Sequence, residues 1–504
     1  MKTRPRRAAG MVAALLLAAS AAAPQDLASF EKRVTTKVLR NGLTVIVCER
    51  PEAPVFSYAT AVDVGAAQEV PGITGLAHMF EHMAFKGTET IGTRDAAAEK
   101  AALAKVEEAY AAYDRERRRE VGRDDAAVKA AEKAWQDAVA EADRYVIPNQ
   151  FSEILEREGA LGLNAHTSSD STWYEFSLPS NRLELLASLE SERFLNPVLR
   201  EFYKERDVVM EERRMRTDSS PIGRLIEQFV ASAFTAHPYG QPVIGWPSDL
   251  QAFSATDARQ FYERYYVPAN MVFVVVGDVK ADAALRLLEP YFERLPARPR
   301  PEPLRTVEPP QRGERRVVLR EASQPYYVEG YHRPSERDPD DAVYEVISAL
   351  LSEGRTSRLY RALVRDKSIA AEAAGFNNFP DAKYPHLFVF YAISTPGHSP
   401  DELGQAIHAE IARLQDADVT APELAMVKTR ARAALLRSLG SNEGLASQLA
   451  AAQLGRGDWR EVFRQVDRIQ KVTAADVRRV AKQTFVPENR TVGILETVPG
   501  GGAQ

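Results

Sequence analysis

Residues 253–276 read FSATDARQFYERYYVPANMVFVVV, and residues 472–495 read VTAADVRRVAKQTFVPENRTVGIL. The two segments align without gaps and share the order of their polar and apolar positions, including a Val-Pro-x-Asn tetrapeptide. Each pattern predicts a helix capped by Ser254 or Thr473, then a turn at the proline and a strand. A match of this extent favours duplication over chance similarity between two helix-turn-strand units. The chain is therefore expected to contain two related halves.

Further strands and helices are predicted around these two copies. Asn41-Gly42 separates two alternating apolar runs within residues 34–49, which is a strong signal for a β-hairpin. The run Met271–Val276 is continuously apolar and predicts a buried strand. The remaining patterns predict strands at 55–65, 161–167 and 172–178, and helices at 74–85, 182–194 and 200–217.

The composition is that of a soluble globular protein. The chain has 504 residues, 45% hydrophobic and 27% charged, which suggests about two to four domains. With 65 Lys and Arg against 70 Asp and Glu, the net charge of −5 argues against a dominant basic face for nucleic acid. Cys48 is the single cysteine, so we expect no intrachain disulfide framework and no multi-cysteine metal site.

The first residues follow the order of a secretory signal peptide. Basic residues up to Arg7 precede an apolar run from about Ala8 to Ala19, and Ala19-Ser20-Ala21 fits a cleavage site. The run is shorter than the roughly 20 residues that span a bilayer, and no other stretch is predicted to do so. We expect residues 1–23 to be removed and the protein to be periplasmic or secreted, without an integral membrane segment.

A Pro-rich segment, 295–313, predicts an extended, semi-rigid linker between the halves. It separates an N-terminal domain, 24–294, from a C-terminal domain, 314–504. Within the first domain, residues 96–146 are rich in Ala, Glu, Lys and Arg. Their heptad-like apolar spacing predicts an antiparallel helical hairpin with its turn near Gly122. We interpret this hairpin as a solvated strut; a partner-docking or substrate-gating arm is the alternative.

The segment His78-Met79-Phe80-Glu81-His82 carries the strongest chemical signal. On a helix, residues four apart lie on one face, so both imidazoles can reach one metal ion. Glu81 lies near the same face, where a carboxylate can take a proton from an activated water. The order H-x-x-E-H is a signature of zinc peptidases. A pair of structural histidines on an amphipathic helix is the alternative interpretation.

A catalytic zinc usually has three protein ligands, so the two histidines need a third partner. The predicted helix around residues 203–212 offers Glu205, Glu211 and Glu212. Glu205 and Glu212 are two turns apart on one face, whereas Glu211 points about 100° away from Glu212. Spacing alone leaves the choice open, since each of them also suits the surface of a charge-rich helix. The second half has no H-x-x-E-H segment, so only the first half is expected to be catalytic.

The order of these motifs resembles the pitrilysin/insulinase family of zinc peptidases, especially its two-domain bacterial and mitochondrial-processing-peptidase-like branch. The resemblance implies an α+β fold of two homologous domains that close as a clamshell. Each domain would be a mainly antiparallel sheet with helices packed on one face, with the helical hairpin inserted in the first domain. The matching segments cover most of the mature chain: the Asn41-Gly42 hairpin, 75–78, 85–88, 163–167, 205–212, 242–245, 266–270 and 354–363.

The resemblance also implies a metal site. It assigns one Zn²⁺ per chain to His78, His82 and Glu212, with Glu81 as the general base. Glu205 matches a second family carboxylate that supports the site without binding the metal. The gap from His82 to Glu212 is longer than the usual family spacing, and the inserted hairpin accounts for the excess.

The substrate contacts that the resemblance implies come from both halves. The strand at Asn164 and Ala165 matches an edge that pairs with the substrate backbone, and Arg365 lies in a segment that resembles a substrate-contacting arginine of the family. His166 stands where the family usually has an aromatic residue, and we favour a substrate-groove role over a fourth ligand. The tyrosine that usually accompanies the arginine falls at Ala371 or Glu372, so a partner chain could supply that pair.

These features predict an exported zinc metalloendopeptidase that hydrolyses peptides or unfolded polypeptide segments. Capture of substrate through its backbone predicts loose side-chain specificity. The enzyme could act alone, as a homodimer, or as a heterodimer with a related subunit. A non-catalytic family member that serves as an assembly or substrate-binding subunit is the main alternative. A metal-independent binding module, with the hairpin as its functional surface, is the third.

Overall fold

The structure is a computed structural model and describes residues 27–498. The predicted signal peptide, residues 1–23, lies outside these residues. Two β-sheets form the centre of the protein, one from each half of the chain. None of the helices within residues 27–498 is both long and apolar enough to cross a bilayer.

The first sheet has six strands in the order β1-β2-β6-β3-β5-β4. Neighbouring strands are antiparallel, except that β2 and β6 run parallel. The predicted Asn41-Gly42 hairpin is present, because β1 and β2 pair on either side of it. The strands are β1 (Val34–Val38), β2 (Thr44–Glu49), β3 (Val55–Val62), β4 (Leu161–Thr167), β5 (Thr172–Pro179) and β6 (Met271–Gly277).

The second sheet repeats five of these strands in the same order, β7-β11-β8-β10-β9. Its parallel pair is β7 with β11, which corresponds to β2 with β6, and its other neighbours are antiparallel. The halves therefore share one topology, as the sequence repeat predicts. The strands are β7 (Arg315–Glu321), β8 (Tyr326–Arg333), β9 (Ala370–Phe379), β10 (His386–Ser394) and β11 (Arg490–Thr497).

Helices connect the strands in both halves. Those of the first half are α1 (Leu27–Glu31), α2 (Leu76–Met83), α3 (Ala96–Arg117), α4 (Asp125–Asp143), α5 (Gln150–Arg157), α6 (Leu183–Leu195), α7 (Phe202–Arg213), α8 (Pro221–Ala233), α9 (Pro247–Ala252), α10 (Ala255–Tyr265) and α11 (Ala281–Phe292). Those of the second half are α12 (Asp341–Ser352), α13 (Pro400–Asp416), α14 (Ala421–Ser438), α15 (Asn442–Arg456), α16 (Glu461–Lys471) and α17 (Ala474–Thr484). Residues 295–313 form neither helix nor strand.

The repeated segments adopt the same local structure. Ser254 caps α10 and Thr473 caps α17, and each cap exchanges hydrogen bonds with an aspartate three residues later. Each helix is followed by a short 3₁₀ turn that begins at the shared proline, and then by the central strand of its sheet. The local sequence thus determines the same capped helix, turn and strand twice.

Each sheet has helices on both faces, and the second face is covered by the other half. In the first sheet, one face packs on the helices of its own half. Its opposite face packs on α15, where the small Ala59 and Ala61 of β3 lie in one apolar cluster with Leu445 and Leu449. The fold class predicted from the sequence is confirmed: each half packs its own helices on one face of its sheet. The opposite face is covered by a helix that the other half supplies.

The reciprocal contact is made by α8 on the second sheet. Phe229 of α8 is completely buried against β8 and β11. Gly330 of β8 and Gly493 of β11 allow this close approach, since a Cβ added at Gly330 would lie 2.9 Å from Cζ of Phe229. The two halves are consequently joined by two buried helix-on-sheet contacts as well as by the linker.

Helices α3 and α4 form a hairpin that lies against the first half, where Tyr110 and Arg117 of α3 donate hydrogen bonds to the backbone of α9. Its turn contains Gly122 in a left-handed conformation, with φ of +67°. An antiparallel bridge between Thr93 and Val146 closes its base, so the chain leaves and re-enters the domain at neighbouring points. Midway along the hairpin, the rings of Tyr110 and Trp135 lie 4.5 and 5.2 Å from that of Tyr203 on α7. The hairpin is therefore packed against one of the helices that form the site.

Candidate active site

Helix α2, which carries His78 to His82, is held firmly at its N-terminus. The buried Glu69 accepts hydrogen bonds from the backbone N–H groups of Gly75 and Ala77, both at 2.7 Å. Gly75 has φ of +96°, and a Cβ there would lie 2.7 Å from the carbonyl oxygen of Ile244. Only glycine suits that position. Burial raises the pKa of Glu69 to about 8, although the backbone hydrogen bonds oppose this shift.

The side chains of α2 and α7 converge on one point. Nε2 of His78 lies 3.7 Å from Oε1 of Glu212, and Nε2 of His82 lies 3.4 Å from Oε2 of the same carboxylate. One ligand atom from each of the three residues lies within 4.8 Å of the others. The two imidazole rings meet edge to face at 4.7 Å, as expected for residues one helical turn apart.

A zinc ion fits this set of donor atoms. Bonds of about 2.0–2.2 Å in tetrahedral geometry place neighbouring donor atoms about 3.3–3.6 Å apart, close to the observed separations. Burial lowers the pKa of His78 to about 3, assisted by His82 and Arg216, so the ring is neutral as a metal ligand must be. Two imidazoles with one carboxylate form a common ligand set of catalytic zinc.

Glu205 is not one of the three donor residues, but it forms a hydrogen bond with one of them, His82. Its Oε1 lies 2.9 Å from Nδ1 of His82. Burial alone would raise the pKa of Glu205, yet hydrogen bonds from His82 and Lys86 hold that pKa below its usual value. The ionised carboxylate can only accept, so Nδ1 of His82 donates and its Nε2 is left to face Glu212. The third candidate of the helix, Glu211, pairs with Arg214 at the surface.

Glu81 is placed beside the donor set and is oriented by β4. The hydroxyl of Thr167 donates a hydrogen bond of 2.7 Å to Oε2 of Glu81. Thr167 is the last residue of β4, so the edge strand and the helix meet at this carboxylate. A carboxylate held in this way next to a metal position is suited to accept and return a proton.

Comparison with known proteins decides the family. Residues 44–117 and 141–246 match the family model described as Insulinase (Peptidase family M16), and residues 252–431 match that of the Peptidase M16 inactive domain. This chain belongs to the M16 insulinase family of peptidases. The interruption between 117 and 141 covers the turn of the hairpin and most of α4.

Relatives across the M16 family support this assignment. The chain is 28% identical to the zinc protease PqqE of Helicobacter pylori, over 97% of this chain and 98% of that protein. It superposes on the crystal structure of a protease from Helicobacter pylori with a TM-score of 0.77 and 27% identity, covering 92% of this chain and 99% of the other. The periplasmic protease PqqL of Escherichia coli shares the fold at 20% identity, with a TM-score of 0.68 over 94% of this chain and 48% of that one. All three relatives are named as proteases, and the PqqE protein of Helicobacter pylori is named as a zinc protease.

The edge strand β4 presents Asn164 and Ala165 to opposite faces of the sheet. Side chains alternate along a strand, and Thr167 faces Glu81, so Ala165 lies on the side of α2. Asn164 and His166 point the other way and are exposed. The ring of His166 stacks on that of Trp173 at 5.6 Å. His166 is thus separated from the three donor atoms by the sheet, which argues against a fourth ligand in this M16 protein.

Arg365 is not brought to the metal position in this structure. It lies in a π-helical turn, Tyr360–Asp366, where it is exposed and pairs with the neighbouring Asp366 at 2.6 Å. Ala371 and Glu372 follow at the start of β9, and the carboxylate of Glu372 accepts a hydrogen bond from Tyr391. Among the hydrogen bonds and ion pairs described within residues 27–498, none connects Arg365 to α2 or α7.

Three further residues belong to the site and were not predicted from the sequence. Lys86 binds Glu205, Thr167 binds Glu81, and Arg216 lies 2.6 Å from Glu212. Arg216 carried a usable signal, since it follows its partner Glu212 by four residues, one helical turn. Lys86 lies beyond the end of α2, and its partner Glu205 is on another helix. Thr167 carried none, because its partner is 86 residues away. The Arg216 side chain is 74% exposed, so its ion pair contributes little stability.

Proposed function

We propose that this M16 protein is a zinc-dependent metalloendopeptidase that hydrolyses peptides or unfolded polypeptide segments. The observation that supports it best is the convergence of His78, His82 and Glu212 beside Glu81, at the end of an unpaired sheet edge. In this proposal the first half, residues 24–294, is catalytic and binds one Zn²⁺. The second half, residues 314–504, has no equivalent motif and completes the clamshell.

The roles of the residues follow from their positions. A zinc ion held by His78, His82 and Glu212 would supply Lewis acidity toward water and the scissile carbonyl. Glu81 removes a proton from the attacking water, whose oxygen adds to the carbonyl carbon. When the C–N bond breaks, Glu81 returns the proton to the leaving amine. Glu205 orients His82 through Nδ1 and does not contact the substrate.

The substrate binds as an added strand. β4 is the last strand of its sheet and pairs only with β5 among the described residues, so its other edge offers free N–H and C=O groups. An extended peptide can pair with that edge at Asn164 and Ala165 and pass Glu81 at the end of the strand. Backbone pairing is independent of side-chain identity, which explains why we expect a broad peptide specificity.

The location that we propose is the periplasm or the exterior of the cell. The support is the basic and apolar order of residues 1–23, together with the shared fold of the periplasmic protease PqqL. Fusion of residues 1–30 to a reporter enzyme that is active only after export tests this. Cytoplasmic retention of the fusion would contradict it.

The central test compares zinc content and peptide cleavage in wild type and Glu81→Gln. We expect one zinc per chain in both proteins, with cleavage of a peptide library lost about 10²- to 10⁴-fold in the variant. Removal of the metal with a chelator should stop cleavage, and added zinc should restore it. Glu156→Gln, an exposed position on α5, is the matched control. The proposal fails if zinc-loaded wild type cleaves no library peptide, with or without a related subunit.

The second candidate is a subunit that needs a partner for catalysis. The exposed position of Arg365, away from the donor set, favours it, as does the absence of a tyrosine at positions 371 and 372. A homodimer or a heterodimer with a related chain could then supply the missing contacts. Cleavage that appears only after a related chain is added would support this candidate, whereas full activity of the monomer would exclude it.

A further inference from the structure

A series of ion pairs and hydrogen bonds leads from the hairpin to the candidate zinc site. Glu99 of α3 binds Arg200, and Arg200 binds the backbone of the loop that follows α2. That loop carries Lys86, whose ammonium group binds Glu205 at 2.6 Å. Glu205 binds Nδ1 of His82. The site's supporting carboxylate is therefore itself held by a lysine, and the lysine's loop is held by the hairpin.

Arg200 is the centre of this arrangement. Its side chain is 1% exposed, and Nε and Nη2 donate to the two oxygens of Glu99 at 2.6 and 2.7 Å. The remaining N–H groups donate to the carbonyl oxygens of Lys86, Thr88 and Ile91. A bidentate pair in a buried position is geometrically specific, because a planar guanidinium must meet both carboxylate oxygens.

The loop is shaped to close around this guanidinium. Gly87 and Gly92 have φ of +95° and +91°, which other residues rarely adopt. A Cβ at Gly92 would lie 2.6 Å from Nη1 of Arg200, and one at Gly87 would lie 2.2 Å from the carbonyl oxygen of Ile91. The loop backbone that surrounds the guanidinium of Arg200 thus determines the position of Lys86.

Lys86 is the cation that faces the acidic side of the site. Its Nζ lies 2.6 Å from Glu205 and 3.4 Å from Glu201. Without it, Glu205 would lose its ammonium partner, and Glu201 would keep only its longer contact of 3.6 Å with Lys204. Repulsion between Glu205 and Glu201 would favour rotation of Glu205, which weakens its hold on His82.

We propose that Lys86 is a positioning residue for the zinc site, and that the hairpin fixes it there through Glu99 and Arg200. This inference rests on the proposed function, since it concerns the affinity of the same site for zinc. It gives the base of the α3–α4 hairpin a role in metal binding that neither a solvated strut nor a substrate-gating arm would have.

The test measures zinc affinity by competition with a chromophoric chelator, using the full chain after signal removal. The variants are Lys86→Met and Lys86→Arg, and Lys204→Met is the matched control. Lys204 is a half-exposed lysine that joins α7 to the hairpin through Asp143 at 2.7 Å and lies 3.6 Å from Glu201, but it forms no ion pair with Glu205. The absorption spectrum of the cobalt-substituted protein reports ligand geometry independently of activity, and thermal unfolding of the metal-free proteins reports folding.

We expect Lys86→Met to bind zinc roughly tenfold more weakly than wild type, and its cobalt spectrum to change. Lys86→Arg should bind zinc more nearly like wild type, because it keeps the charge and the donors. Lys204→Met should match wild type in affinity and spectrum. Equal affinity and spectra for Lys86→Met and Lys204→Met would overturn the inference.

The link to the hairpin is tested by Glu99→Gln, with Glu108→Gln at an exposed position of α3 as its control. Glu99→Gln should weaken zinc binding, whereas Glu108→Gln should not. If Glu99→Gln fails to fold, the Lys86 variants still decide the first part of the inference. Wild-type protein that binds zinc and cleaves peptides while all variants match it would refute this inference alone, whereas wild type that binds no zinc would refute the proposed function as well.

Discussion

The hydrogen bond between Thr167 and Glu81 leads to a quantitative expectation for Thr167→Val. The substitution removes the hydroxyl but keeps a β-branched side chain of the same shape, so β4 should still pair with β5 opposite Thr172. A hydrogen bond to a charged group contributes about 1.5–3 kcal/mol. If that orientation of Glu81 is needed in the transition state, its loss lowers kcat/KM about 10- to 150-fold.

The assay is the initial rate of cleavage of an internally quenched peptide, with zinc content measured on the same samples. We expect Thr167→Val to keep one zinc per chain, because Thr167 contacts none of the three donor residues. Thr167→Ser restores the hydroxyl and should recover most of the activity. A Thr167→Val protein with full zinc and unchanged kcat/KM would show that Glu81 needs no orientation by the edge strand. Loss of zinc would show instead that Thr167 supports the donor set.

Three further predictions concern stability. Arg200→Met should lower the free energy of unfolding by about 3–5 kcal/mol in urea denaturation, because it leaves Glu99 buried without a partner. The control Arg144→Met removes an exposed ion pair and should change the free energy of unfolding by less than about 1 kcal/mol. Similar values for the two variants would contradict the importance of the buried pair. Phe229→Ala should lower the free energy of unfolding by about 3–5 kcal/mol and make α8 susceptible to proteolysis, since the ring is fully buried between the halves. Unchanged resistance of α8 to proteolysis would argue against the contact between α8 and the second sheet. Glu69 has a pKa of about 8 in the folded protein, above its unfolded value, so its contribution to stability is present at low pH and is lost as pH rises toward 8. Glu69→Gln should therefore flatten the decline in stability between about pH 5 and 8, and identical slopes would exclude this titration.

Much of the fold could be predicted because its signals are local. A Ser or Thr cap, an aspartate three residues later, and a Val-Pro turn before an apolar run specify a helix, a turn and a strand within about 24 residues. Since this segment occurs twice, the two-domain architecture could be predicted from the repeat and the family resemblance together. The long-range contacts of α8 and α15 carry no such signal, because an apolar helix face does not indicate which sheet it will cover.

The candidate site also combines contacts that local spacing predicts with contacts that only the tertiary structure determines. Residues 78, 81 and 82 are one turn apart on a helix, so their proximity was predictable from spacing. Spacing alone did not choose among Glu205, Glu211 and Glu212, although the family resemblance pointed to Glu212. The packing of α2 on α7 places Glu212 at the donor set, Glu205 behind His82 and Glu211 at the surface. Arg365 was suggested by resemblance, but its placement depends on how the second half sits against the first.

Sequence alone thus specified the paired halves, the H-x-x-E-H helix, the insertion at 96–146 and a short set of possible third ligands. Folding selected Glu212 as the residue facing both imidazoles, joined Thr167 to Glu81, and linked the hairpin to Lys86 through a buried arginine. The reason is physical, because helix and turn patterns depend on neighbours a few residues away. These contacts instead join groups 86 to 134 residues apart, which meet only when the apolar faces of separate elements are buried together.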